Sequence, residues 1–211
     1  MQAFSQVVSL GWRCQTVWQA RRYFGRAFCP TSIFDWQITP AEAVVEYFDR
    51  DFVGLLDRDD LFRPEDGWVT NRKFGTRHPH EFSNGLQDGY ATARSRHDYL
   101  CDKLCAIIGG AEPTLFVAQA KDPETFHSEI SFRISRRNPR LKYRLLVVPD
   151  VPIGSGADAW KGDDDHWDRH FSEFAVRHDA GLQSPNTVTK NLGTIRYQMR
   201  RFANHVVKAK F

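Results

Sequence analysis

Two continuous apolar runs, Thr114–Ala120 and Tyr143–Pro149, flank one amphipathic segment, Pro123–Arg137, and this pattern constrains the fold more than any other feature of the chain. A run that is apolar at successive positions predicts a strand covered on both faces, and Asp122 followed by Pro123 is a helix-start signal. Strand, helix and strand at this spacing make a βαβ unit, whose strands are parallel and whose crossover is right-handed. The expectation is a single α/β domain over residues 1–211, with a mainly parallel sheet flanked by helices in Rossmann-like layers.

The remaining segments extend this pattern. Residues 4–11 read as another strand ending at Gly11, where the backbone is free to turn sharply. Residues 12–24 read as a helix closed by Gly25, with Cys14, Val17 and Trp18 on one face and Arg21 and Arg22 near its C-terminal end. Residues 40–56 read as a second helix, with Thr39, Pro40 and Glu42 forming a capping box. Residues 57–90 are rich in Asp, Gly, Arg and His and predict long loops with a short strand at 68–70. A helix over 90–108 follows, ending at Gly109-Gly110. Beyond the second apolar strand come a Gly/Asp-rich loop over 154–165, a half-buried strand near 171–177, and a helix over 187–209 carrying Leu192, Ile195, Met199, Phe202 and Val206 on one stripe.

Composition narrows the class of function. The 29 basic and 26 acidic side chains leave a net charge of +3, too mild to indicate nucleic acid as a partner. No apolar run approaches a membrane span, and the first residues lack the pattern of a secretion signal, so a cytoplasmic protein is expected. The four cysteines are then free thiols. Cys101 and Cys105, at helical spacing, are expected to be buried small hydrophobes. His78-Pro79-His80 lacks a third metal ligand, and neither a metal nor a cofactor is expected.

Open α/β sheets bind ligands beyond the carboxyl ends of their strands. That directs attention to residues 11–14, 119–122 and 150–156. Cys14 lies in the first turn of a helix after a strand, where unsatisfied N–H groups lower a thiol's pKa. A thiol nucleophile needs a base and a group that orients the base. His78 and His80 lie in a polar loop, whereas His127 and His205 lie on helices. Asp35, between Phe34 and Trp36, either orients a histidine or turns the chain before the next helix. Asp163 and His166, three residues apart in the late loop, are a second polar pair.

Val8-Ser9-Leu10-Gly11-Trp12-Arg13-Cys14, followed by Phe34-Asp35-Trp36, resembles the opening motifs of a bacterial family described as papain-like cysteine peptidases and otherwise of unknown function. Members of that family carry Ser-Leu-Gly-x-x-Cys, then Pro-Phe-Asp-Trp, then a His two residues before a Phe. His80-Glu81-Phe82 is similar to the last element, and Ile33 stands where the family commonly has Pro. The resemblance spans roughly residues 5–150. It implies a catalytic Cys14 and a catalytic His80.

The leading expectation is a cysteine-dependent hydrolase, either a papain-like peptidase or an acyl hydrolase or transferase, acting on a peptide, acyl or glycan substrate. Cys14 attacks, His80 or His78 is the base, and Asp35 orients the imidazole. The turn from Gly11 to Cys14 supplies oxyanion donors, and Ser9, Gly11, Trp12, Trp36 and His78 line the substrate site. One alternative is an SGNH-like esterase using Ser9 with Asp163 and His166. The other is a non-catalytic sugar- or nucleotide-binding accessory to surface-polysaccharide modification, with Gly154-Ser155-Gly156 cradling a phosphate.

Overall fold

A computed structural model describes residues 3–65, 67–150 and 155–177, which belong to one compact unit. The expected helix over 187–209, His205 and Gly154 of the Gly-Ser-Gly loop lie outside the described residues.

The βαβ unit forms as the sequence dictates. Strands β2 (Gln6–Ser9), β6 (Thr114–Ala120) and β7 (Tyr143–Pro149) make a parallel sheet in the order β2-β6-β7. Val7 pairs with Leu115, and Leu115 with Arg144. Every residue of the central strand β6 is buried, whereas β7 is covered only in part because it forms an edge. Helix α4 (Pro123–Arg137) connects them, and Asp122 caps it by accepting the Thr125 N–H at 3.1 Å.

Alternation along the strands divides the interior into two cores. On one face, Val8, Phe116, Ala118 and Leu145 pack with residues of α4, α2 (Ala41–Asp49) and α3 (Gly85–Gly109). On the other, Val7, Leu115, Val117 and Val148 pack with Ala20 and Phe24 of α1 (Cys14–Phe24) and with Trp167 and Phe171 of α5 (Asp164–Phe171). Each fully buried large side chain of these layers contributes about 1.5–3 kcal/mol relative to exposure.

Several expectations are corrected. The first strand divides into β1 (Ala3–Phe4), paired with β8 (Ala175–Val176), and β2. The strand expected at 171–177 is therefore confined to β8. The Asp run at 163–168, expected as loop, begins α5: the Asp163 carboxylate accepts the Asp165 and His166 amides, and acidic groups in a first turn suit the helix dipole. Helix α2 stops at Asp49 because the chain turns into positive φ at Asp51 and Phe52. Its capping box is absent: Pro40 occupies the N-cap position, and the Thr39 hydroxyl accepts from Gln37 instead. Helix α3 begins at Gly85, ahead of the expected start.

The largest addition is a small antiparallel sheet in the region expected to be loops, with β3 (Leu61–Phe62), β4 (Val69–Asn71) and β5 (Arg77–His78) in sequential order. The buried Asn71 organises it. Its side-chain oxygen accepts the Lys73 and Phe74 amides, and its amide donates to the Leu55 carbonyl. Ile38 and Arg77 exchange two backbone hydrogen bonds of 2.9 Å, fixing this sheet to the segment after Trp36. The fold is thus α/β with both parallel and antiparallel sheets.

Candidate functional site

The turn between β2 and α1 places Cys14 at the carboxyl edge of the parallel sheet. Gly11 takes φ +92°, a conformation that favours glycine. Its carbonyl accepts the Thr16 hydroxyl at 2.9 Å and the Gln119 amide at 3.2 Å, which ties the turn to the end of β6. The Gly11–Trp12 peptide is cis. Arg13 occupies the N-cap position of α1 without a side-chain cap, and its guanidinium lies over the Trp12 ring. Cys14 is the first residue of α1.

The antiparallel sheet brings His80 to this point. His80 lies two residues beyond the end of β5, and its Nε2 lies 3.7 Å from Cys14 Sγ across 66 residues of sequence. His80 is exposed and Cys14 is half-buried, so the pair opens to solvent. Trp36 stands edge-on against the imidazole, with ring centroids 5.7 Å apart. The structure therefore unites Cys14, His80 and Trp36.

The thiol does not have the depressed pKa expected of a helix N-terminus. Burial pushes it up to about 11; its own backbone amide opposes this, and the Glu81 and Asp35 charges add to it. Loss of solvation outweighs the partial charge of the helix terminus.

Asp35 does not orient the imidazole. It is fully buried, and its Oδ2 accepts from Arg21 Nη2 at 3.0 Å and from the Ser32 amide at 3.1 Å. Burial raises this carboxyl to about 7 despite the Arg21 guanidinium. Arg21 also lies over the Trp36 ring, so Asp35 supports the wall of the site through α1.

His78 is likewise turned to another task. It is buried, its Nε2 is 3.1 Å from the Thr76 hydroxyl, and its ring meets Phe82 edge-on. Burial lowers its pKa to about 3, keeping it neutral. It lines a small interior cavity with Gln37, Glu81, Arg96 and His97. Ser9 is buried, and its hydroxyl accepts the Gly11 amide at 3.3 Å. Asp163 caps α5 through the Asp165 and His166 backbone amides, and among the described residues no hydrogen bond links the Ser9 hydroxyl to Asp163 or to His166.

Two groups escaped the sequence reading. Glu81 is adjacent to His80, and the backbone amides of His80 and Glu81 favour its charged form. Its Oε2 has no hydrogen-bond partner, and burial raises its pKa. An acid between His80 and the buried Phe82 was the available signal. The second is the Trp160-Lys161 turn, held on α1 by Gln15 and Gln19, whose inward direction nothing in the local pattern marks.

Among the described residues, no group of three or more His, Cys, Asp or Glu side chains is placed to hold a metal ion, and no helix is long and apolar enough to cross a membrane. Comparison with protein-family models, with curated proteins and with solved structures gives no match to this chain.

Proposed function

We propose that this protein is a cysteine-dependent acyl hydrolase or transferase, of which a papain-like peptidase is one form, acting through Cys14 and His80. The observation that carries this reading is the approach of an accessible thiol and an accessible imidazole at 3.7 Å, built from two separate parts of the chain. The same reading takes the helices on the two faces of β2-β6-β7 as Rossmann-like layers.

The chemistry follows from the electrostatics. A thiol raised to about 11 is protonated near neutral pH, so its proton must leave as the bond forms. His80 Nε2 accepts that proton while Sγ attacks a carbonyl carbon. The amides of Cys14 and Gln15, which have no side-chain cap, face the developing oxyanion. The imidazolium returns the proton to the leaving alcohol or amine as its bond to carbon breaks, leaving an acyl thioester on Cys14. Water, deprotonated by His80, then attacks the thioester. The acid leaves and the proton returns to Sγ. Burial of Ser9 speaks against a serine nucleophile.

The test uses p-nitrophenyl acetate as an activated acyl donor. A burst of p-nitrophenolate is expected, with one acetyl group located on Cys14 by mass spectrometry. His80→Ala should suppress it, and the acylation rate should fall in heavy water because a proton moves. Acetylation confined to other residues, or a burst indifferent to His80→Ala, would overturn the assignment.

A further inference from the structure

One helical turn beyond Cys14, α1 presents Trp18 on the same side of the helix. Residues four apart on a helix are neighbours, with Cβ atoms about 5–6 Å apart, and helical side chains lean toward the N-terminus. Trp18 therefore leans toward the thiol. Its partner is Trp160, from the turn before α5, with ring centroids 5.4 Å apart in an edge-to-face arrangement. Both rings are 38% exposed. The Lys161 ammonium lies 5.0 Å from the Trp18 ring and 5.9 Å from the Trp160 ring, and it pairs with Asp158 at 2.8 Å.

This arrangement is anchored. Gln15 and Gln19 are almost completely buried; Gln15 Nε2 donates to the Trp160 carbonyl at 3.2 Å, and Gln19 Nε2 to the Lys161 carbonyl at 2.6 Å. At Gly162 the backbone approaches so closely that a Cβ would lie 2.5 Å from the Gln15 amide. Two interior glutamines thus fix a turn whose outward product is a pair of solvent-facing indoles. Large aromatic rings held rigidly in water mark a binding surface rather than a core.

We propose that Trp18 and Trp160, with Lys161 and Asp158 at their side, form the subsite for a sugar ring bearing the acyl group taken by Cys14. An indole face accepts the C–H face of a pyranose. The neighbouring ammonium and carboxylate give a donor and an acceptor for its hydroxyls, a pairing that suits a polyol better than an aromatic peptide side chain. The substrate class is an O- or N-acylated glycan. This assignment of substrate rests on the proposed thiol chemistry, whereas sugar binding at the indoles does not require a reactive thiol.

The experiment separates the two. The full chain with Cys14→Ser is titrated with chitotetraose and with acetylated xylotetraose, following tryptophan fluorescence and saturation-transfer NMR, with N-acetylphenylalanine amide as the competing probe. Saturable binding of at least one oligosaccharide is expected. Trp18→Ala and Trp160→Ala should each weaken it roughly tenfold, Trp18→Tyr less so. Unchanged melting temperatures show that these variants fold. Absence of saturable sugar binding, binding insensitive to both substitutions, or Trp18-dependent binding of the phenylalanine amide alone overturns the proposal. Loss of the burst from the unaltered chain with sugar binding intact would count against the thiol chemistry and leave the sugar subsite standing.

Discussion

Among the described residues, two cysteine–histidine pairs have nearly equal reach, yet they differ in what surrounds them. Cys14 Sγ lies 3.7 Å from His80 Nε2, and Cys101 Sγ lies 3.6 Å from His97 Nδ1. The second pair sits on successive turns of α3 and is buried, with Cys101 3% and His97 5% exposed. His97 also meets the Tyr47 hydroxyl at 3.1 Å through Nε2 and approaches Asp98 through Nδ1. Burial pushes both thiols up, and carboxylate charges add to it in each, Glu81 and Asp35 at Cys14 and Asp98 at Cys101. Separation therefore does not distinguish a nucleophile from a packing residue. What sets the Cys14 pair apart is access, together with an imidazole that makes no other side-chain hydrogen bond among the described residues.

The comparison is broken most directly by substitution at each pair. Cys14→Ser and His80→Ala should each reduce acyl transfer to p-nitrophenyl acetate by on the order of 10²–10⁴, while Cys101→Ser and His97→Gln leave the burst rate of the folded protein unchanged. Equal losses at both pairs would remove the distinction.

A second test contrasts Asp35 with the orienting role expected of it. Arg21→Ala strands a buried carboxylate and should destabilise the fold by about 3–5 kcal/mol at pH 8 in urea denaturation. The sign with pH follows from the raised pKa. Asp35 favours protonation in the folded state, so lowering the pH through about 7 relieves the burial of its charge. The penalty of Arg21→Ala should accordingly shrink at pH 5. A penalty independent of pH would show that the carboxylate is solvated after the substitution.

Smaller effects sharpen the contrast in stability. Cys101→Ser places a hydroxyl in a dry position and should cost about 1–3 kcal/mol, whereas Cys14→Ser, at a half-buried site, should stay within roughly 0.5 kcal/mol. Thermal unfolding of the two variants side by side measures the difference. His78 adds a pH signature: its folded pKa of about 3 lies below the ordinary 6.5, so stability is complete above about 6.5 and falls as the pH drops toward 3. His78→Gln should flatten that fall relative to the parent. Asp35 titrates in the opposite sense in both proteins and cancels in the difference.

The parallel sheet and the position of Cys14 were legible because both are local. The uninterrupted apolarity of residues 114–120 marks a covered strand, and Gly11 followed by a helical period marks the turn. The resemblance to known motifs singled out His80, which composition and spacing alone left among eight histidines. The antiparallel sheet was not legible, because two- and three-residue strands carry no period to detect and Asn71, which organises them, resembles any loop polar residue. Asp35 was read as an orienting group because sequence shows its aromatic neighbours but not Arg21, which reaches it from another element. The length of α2 was overestimated for a related reason: the apolar spacing continues to Phe52, but backbone φ does not.

The mutual hydrogen bonds of Ile38 and Arg77 have a further consequence. Trp36 lies two residues before Ile38 and His80 three residues after Arg77, and the Thr39 amide next to the rung donates to the Trp12 carbonyl at 2.9 Å. Cys14 and His80 thus belong to separate pieces of chain joined by a short seam rather than by a continuous sheet. Under the proposed chemistry, any opening of that seam would part the thiol from the imidazole. The exchange lifetimes of the Ile38, Thr39 and Arg77 amides in deuterated solvent then measure how long Cys14 and His80 stay side by side.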